Sequence, residues 1–325
     1  MKQGANIMVE ERGIRYFPIA LFASVMGFSG LTMAVKHAEN LYGLHHGVST
    51  TLLVFTTVLF LFNGLILLYR LIQHRDEVKL DFNHPVKMNF FGAISISMLL
   101  LAQAYLEMNT SISFTFWSLG AILQAILTLV ILSKLIWTFS FKIEQFNPAW
   151  FIPIVGNIIV PLAGSFHVDA DVNWMFFSTG IVFSIVYTTI FINRIFFHPP
   201  LPTKLLPTFF ILMAPPAIGF VSYIKLAGGM DAFAYILYGT ALTIGLLLLF
   251  QLKRFMQIPF FISWWAFLFP SAAMTIATVE MYLDHGKVLY HGMFILQVVG
   301  LLALAIFLSW KTIELAINRQ LCVKE

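Results

Sequence analysis

The side chains able to do chemistry are few, and their placement argues against most enzymes. The histidines are His37, His45, His46, His74, His84, His167, His198, His285 and His291, each in a connection or near the end of an apolar run. Haem held between helices needs histidine deep in at least two spans, so a membrane cytochrome is not expected. Cys322 is the single cysteine, which rules out an internal disulfide. HExxH motifs, cysteine clusters and Gly-rich phosphate loops are missing from the sequence, so no catalytic group, metal or cofactor is expected. The polar groups within the apolar runs are neutral: Ser24, Ser29, Ser95, Ser97, Asn157, Ser222, Ser271, Thr275 and Thr278. Such groups more often bond helix to helix than bind a ligand; Asn157, beside Gly156, is the strongest candidate for more. One stretch stands apart, ISWWAFLFPSAAMTIAT (Ile262–Thr278), where four large aromatics precede a proline and small residues follow it.

The elements that must position these groups are membrane helices. Of 325 residues 59% are apolar and 10% charged, with mean hydropathy +0.87, against about 25% charged in soluble domains. Spanning hydrocarbon takes roughly 20 apolar residues, and ten runs qualify: about 16–35, 48–69, 88–106, 113–133, 150–166, 173–193, 206–224, 232–252, 260–279 and 289–310. The polar leader Met1–Arg15 runs into a full-length span, so no cleaved signal peptide is expected. Of 19 Lys and Arg residues, only Lys36, Lys225 and Lys287 fall in odd-to-even connections. The positive-inside rule then puts both termini in the cytoplasm, and accounts for a pI near 9.1 without a nucleic-acid partner. The expectation is one transmembrane channel domain over 1–325, with short cytoplasmic tails at 1–15 and 312–325, in a bacterial inner (plasma) membrane.

The 13 prolines divide the spans into two kinds. Pro18, Pro85, Pro148, Pro207 and Pro259 open the odd spans, where a missing N–H costs nothing. Pro153, Pro161, Pro215, Pro216 and Pro270 lie within odd spans, and even spans contain none. Irregular backbone at membrane depth is tolerated only against protein or a water-filled cavity. The pattern predicts an all-α membrane protein of five helical hairpins in pseudo-fivefold arrangement. An inner ring of odd helices lines a pore, and an outer ring of even helices faces lipid. Pore-lining candidates are Gly27, Gly30, Gly92, Ser95, Asn157, Pro161, Pro215 and Gly219. Glu107, Lys225 and Glu280 read as residues snorkelling to the extracellular surface. Five helix N-termini at the cytoplasmic mouth modestly favour anions, while carbonyls freed by proline pull the other way, leaving the sign of selectivity open.

Four stretches in order, HPVKMNFFGAISISMLLLA (His84–Ala102), NPAWFIPIVGNIIVPLAG (Asn147–Gly164), PTFFILMAPPAIGF (Pro207–Phe220) and WWAFLFPSAAMTIAT (Trp264–Thr278), resemble the tellurite-resistance/dicarboxylate transporter family. That family includes bacterial TehA and the slow-type anion channels of plant guard cells. The resemblance covers essentially the whole chain. It implies ten helices around a central pore, usually as a trimer with one pore per protomer, and a ninth-helix phenylalanine occluding the pore, here Phe269. Plant members also carry long phosphorylated termini, so kinase gating is not carried over. The residues support the gate independently. Trp265, Phe269 and Ala273 are four apart and share a helical face, and Pro270 is expected to kink the helix beside Phe269. Within the family the alternatives are an anion channel for nitrate or chloride, a proton-coupled C4-dicarboxylate carrier, and a sulfite or tellurite exporter. The channel is favoured because the odd spans lack a cation to hold a dianion. Expected partners are small inorganic anions and lipid, with Gly120, Gly180, Gly239 and Gly245 on even spans offering close packing between protomers.

Overall fold

The computed structural model describes residues 12–137 and 141–324; the leader's first eleven residues, with Lys2, lie outside them. Ten helices are long and apolar enough to cross a membrane. They are α1 (Ile19–Leu41), α2 (Gly47–Gln73), α3 (Lys87–Tyr105), α4 (Thr110–Trp137), α5 (Pro148–His167), α6 (Ala170–Phe197), α7 (Thr203–Ala227), α8 (Ala232–Phe250), α9 (Ile262–His285) and α10 (Val288–Ile317). Several outrun the apolar stretches: α1 continues to Leu41 and α10 to Ile317. A helix does not end where hydrophobicity ends; it ends at a cap. Thus α7 and α9 stop on Gly228 and Gly286 in the left-handed conformation, φ 76° and 65°, which only glycine adopts cheaply.

The odd helices are 78–89% buried and the even ones 22–33%. Contacts α1–α3, α3–α5, α5–α7, α7–α9 and α9–α1 close the inner ring, and each even helix leans on it from outside. The first and last described residues meet at one end, here called proximal, where the Gly13 N–H donates to the Cys322 carbonyl at 3.0 Å. The opposite end is distal.

Every inner helix begins with a tighter 3-10 segment: Ile19–Leu21, Lys87–Phe91, Pro148–Phe151, Thr203–Met213 and Ile262–Phe267. The opening prolines explain part of this, since the following turn has no α-type partner for some carbonyls. Helix α5, the most broken, switches back to 3-10 winding at Gly156–Ile159. Three of its carbonyls accept from side chains of neighbouring helices. Gln124 Nε2 and Thr128 Oγ1 of α4 donate to the Pro153 carbonyl at 2.8 and 3.0 Å, Trp117 Nε1 to Val160 at 3.0 Å, and Ser222 Oγ to Ile158 at 2.6 Å. These three carbonyls are thus capped by side chains of neighbouring helices and do not face the pore. In hydrocarbon an uncapped carbonyl costs several kcal/mol.

Three of the four outer-helix glycines pack inward and not between protomers. A Cβ on Gly180 would lie 2.7 Å from the Ile158 backbone nitrogen, and one on Gly120 3.0 Å from Leu99 Cγ. One on Gly245 would lie 3.0 Å from Met213 Sδ. These three seat outer helices against the inner ring, and only Gly239 of the four faces open space.

Candidate functional site

A narrow axial cavity lies inside the ring and takes its walls from all five inner helices. The contributions are Ala23 and Met26 from α1, Phe90 and Ile96 from α3, and Phe151, Ile152, Val155, Gly156 and Ile159 from α5. To these α7 adds Ile211, Ala214, Pro215 and Ile218, and α9 adds Trp265, Ala266, Phe269 and Pro270. No ionisable side chain contributes. Ile218 also borders a second cavity at the distal end, so the two are stacked along one axis. The second is of opposite character, with Lys36, His37, Glu107, Lys225 and Glu280 in its wall, together with Thr32, Asn40 and Gln103.

The aromatics of Ile262–Phe267 sort themselves by partner. Trp264 and Phe267 pack edge to face at 5.1 Å, and Phe267 meets Phe210 of α7 at 4.3 Å. Trp265 is held by Phe28 at 5.6 Å and donates from Nε1 to Thr312 Oγ1 of α10 at 3.0 Å. Phe269, 6% exposed, makes no ring pair among the described residues. Its neighbour on the adjacent helix α1 is Gly30, where an added Cβ would sit 3.6 Å from Phe269 Cδ2.

Pro270 does not kink a continuous helix. The α-helical part of α9 begins at Leu268, so Pro270 lies in its first turn, where a missing N–H is tolerated. The bend is replaced by a change of winding beside Phe269. The small residues beyond it are not empty space either: Ala272 packs where a Gly30 Cβ would come within 2.7 Å, and Ala273 is buried off the cavity wall.

Of the pore-lining candidates, Pro215 is on the wall. The others mark close helix contacts. Gly27 abuts Leu268, Gly30 abuts Ala272, Gly92 lies where a Cβ would come 2.8 Å from Pro153 Cα, and Gly219 faces Ile181 of α6. Pro161 is buried at the head of the last turns of α5. Ser95 Oγ donates to Gln124 Oε1 at 2.7 Å, and Asn157 Nδ2 to Thr128 Oγ1 at 2.8 Å. Both point outward to α4, because a mid-membrane polar group is satisfied most cheaply by another helix.

The distal charges gather around the second cavity instead of only snorkelling to the surface. Lys36 is not in a connection but on the last turns of α1, 2.8 Å from Glu107. Hydrogen bonding from that ammonium holds the Glu107 carboxyl below the usual carboxylate range. His37 Nε2 is 3.9 Å from Glu280 Oε1. The signal in the sequence was the polar run Lys36-His37, too close to the apolar stretch to have left the helix. Among the described residues no group of metal-ligating side chains occurs.

A closed ring of five irregular helices around an axial cavity, jacketed by five regular ones, defines a polytopic membrane transport protein. Residues 16–313 match the voltage-dependent anion channel family, and the chain belongs to that family. It is 26% identical to an uncharacterized transporter of Methanocaldococcus jannaschii, over 83% of this chain and 84% of the relative. It is 25% identical to the tellurite resistance protein TehA homolog of Haemophilus influenzae, over 84% of this chain and 83% of that one. Similarity to the S-type anion channel SLAH2 of Arabidopsis thaliana is 26%, over 81% of this chain and 52% of the plant protein. Members of the family are channels and transporters.

Proposed function

We propose that the protein is a gated anion channel passing small monovalent anions such as nitrate and chloride, with Phe269 as the gate. The observation that carries the reading is the axial cavity without ionisable walls, whose lining includes Phe269, a residue whose ring stacks on no other among the described residues. A dewetted constriction stops ions without binding them. With no cation in the apolar chamber to repay dehydration, permeation follows the ease of shedding water, because a bare ion in hydrocarbon-like surroundings costs tens of kcal/mol. Nitrate therefore passes ahead of chloride, and dianions last. Each protomer encloses its own pathway. The reading includes a homotrimer in the plasma membrane with cytoplasmic termini, following the charge asymmetry of the loops.

The test is current from protein reconstituted in planar bilayers. Phe269→Ala turns a nearly silent protein into one with large anion currents, and the reversal potentials rank nitrate over chloride over malate. A folded Phe269→Ala protein silent over a wide voltage range overturns the gate; a ranking led by chloride or malate overturns the selectivity. The second reading, a proton-coupled dicarboxylate carrier, draws on Lys36 and Lys225 in the distal cavity. It requires saturable, proton-driven dicarboxylate uptake by the unmodified protein.

A further inference from the structure

The distal cavity holds charges that its own contacts leave incompletely used. Lys36 and Glu107 neutralise one another at 2.8 Å, out toward solvent. Lys225 and Glu280 do not form such a pair. The Lys225 ammonium has one hydrogen bond, a long one of 3.4 Å to the Leu162 carbonyl, and lies 5.7 Å from the centre of the Phe166 ring. An ammonium has three donors, so two remain for the cavity. Glu280, its side chain 22% exposed, accepts no hydrogen bond among the described residues and has only the 3.9 Å contact with His37. Nearby, Gln103 presents a buried amide oxygen with no partner. Because O and N of an amide are assigned rather than seen, this group serves equally as a donor.

The charge count makes the cavity responsive to a single proton. Facing it are Lys36 and His37 from α1, Glu107 at the end of α3, Lys225 from α7 and Glu280 from α9, while α5 contributes only Leu162. His46 acts on Glu107 from outside. With His37 neutral and both carboxylates ionised the total is zero. One proton on the Glu280–His37 pair leaves it at plus one.

We propose that the distal cavity is a proton-linked binding site for one small monovalent anion, held by the Lys225 ammonium and the Gln103 amide, with the Glu280–His37 pair taking up the accompanying proton. This deepens the channel reading, since the site lies directly outside the Phe269 chamber. It predicts that anions load the pathway in a saturable way from the distal side only, and more tightly in acid. The counter-charge at Glu280 weakens anion binding at neutral pH by competing for Lys225 across the cavity.

Two measurements test it. In Phe269→Ala channels in planar bilayers, nitrate conductance saturates with distal nitrate. Lowering the distal pH from about 7.5 to 5.5 reduces the half-saturating concentration about tenfold, the size of one charge-assisted hydrogen bond; the same change at the proximal side has no effect. Glu280→Gln with His37→Gln fixes the low value and abolishes the pH response, Lys225→Met raises the half-saturating concentration about tenfold, and Lys225→Arg preserves it. The second measurement keeps the gate shut: nitrate raises the thermal stability of the unmodified protein in detergent, more at pH 5.5, and the gain disappears in Lys225→Met. If Phe269→Ala passes no current, the channel reading fails while the thermal measurement still decides the site. An unchanged half-saturation in Lys225→Met overturns the proposal, as does a pH response surviving the double substitution or a thermal gain indifferent to Lys225.

Discussion

The inner and outer rings are made of the same kind of residue and differ in what their backbones need. The outer helices are continuous α-helices that satisfy their own hydrogen bonds, so they stand in lipid with only 22–33% of their central residues buried. The inner helices begin in 3-10 turns, and α5 returns to 3-10 winding once more; 78–89% of their central residues are buried. Irregularity is thus a demand for cover. The outer ring supplies it, both as bulk and as side chains such as Gln124 and Trp117 that cap stray carbonyls.

Substitutions can break that division or sharpen it. The largest effect is expected where inner-ring bulk serves the pathway rather than packing. Removing the Phe269 ring lifts a barrier of about 3 kcal/mol and raises anion flux roughly a hundredfold, with little change in melting temperature. Two residues away Phe267→Ala behaves oppositely: conductance stays low and stability falls by about 3–5 kcal/mol, since its ring is wedged between Phe210 and Trp264. Next comes the cap. Gln124→Leu removes one of two donors to the Pro153 carbonyl and one of two acceptors for the Ser95 hydroxyl, costing about 0.5–1.5 kcal/mol, read as a lower melting temperature with the ten-helix fold retained. Gly239→Ala, on the open outer face, is worth under about 0.5 kcal/mol, whereas Gly92→Ala, pressed against the Pro153 backbone, is strongly destabilising. The smallest effect is electrostatic. Because the Glu107 carboxyl is depressed in the folded state, its stabilisation is complete above the unfolded value and is lost as pH falls through the folded one. Glu107 is 68% exposed, so Glu107→Gln shifts an acid melting curve only slightly.

The two-ring architecture was legible in the sequence because proline leaves a mark that no tertiary contact can erase. The even spans lack it, and the odd spans carry it at every opening. The wall of the cavity was less legible. Glycine and serine at membrane depth satisfy two different demands, close approach and pore lining, and residue type does not separate them; Gly27, Ser95 and Asn157 serve the first. Nor could sequence assign the small residues after Pro270, since Ala272 fits Gly30 only once α1 is placed beside α9. The distal charges were hidden for another reason. A lysine at the end of an apolar run looks the same whether it snorkels outward or turns inward to a cavity, and only the ring decides which.

The winding change beside Phe269 also has a mechanical meaning. Residues advance about 120° and 2.0 Å each in a 3-10 helix, but about 100° and 1.5 Å in an α-helix. The six residues Ile262–Phe267 therefore act like the thread of a screw. If they rewound to α geometry, everything beyond them would turn by about 120° and draw back by about 3 Å. The Phe269 ring would sweep off the axis without a hinge, a lid or any change in its own rotamer. Spin labels at Phe261 and Met281 would report such a stroke as a shortening on opening, and an unchanged separation would show that the thread stays fixed.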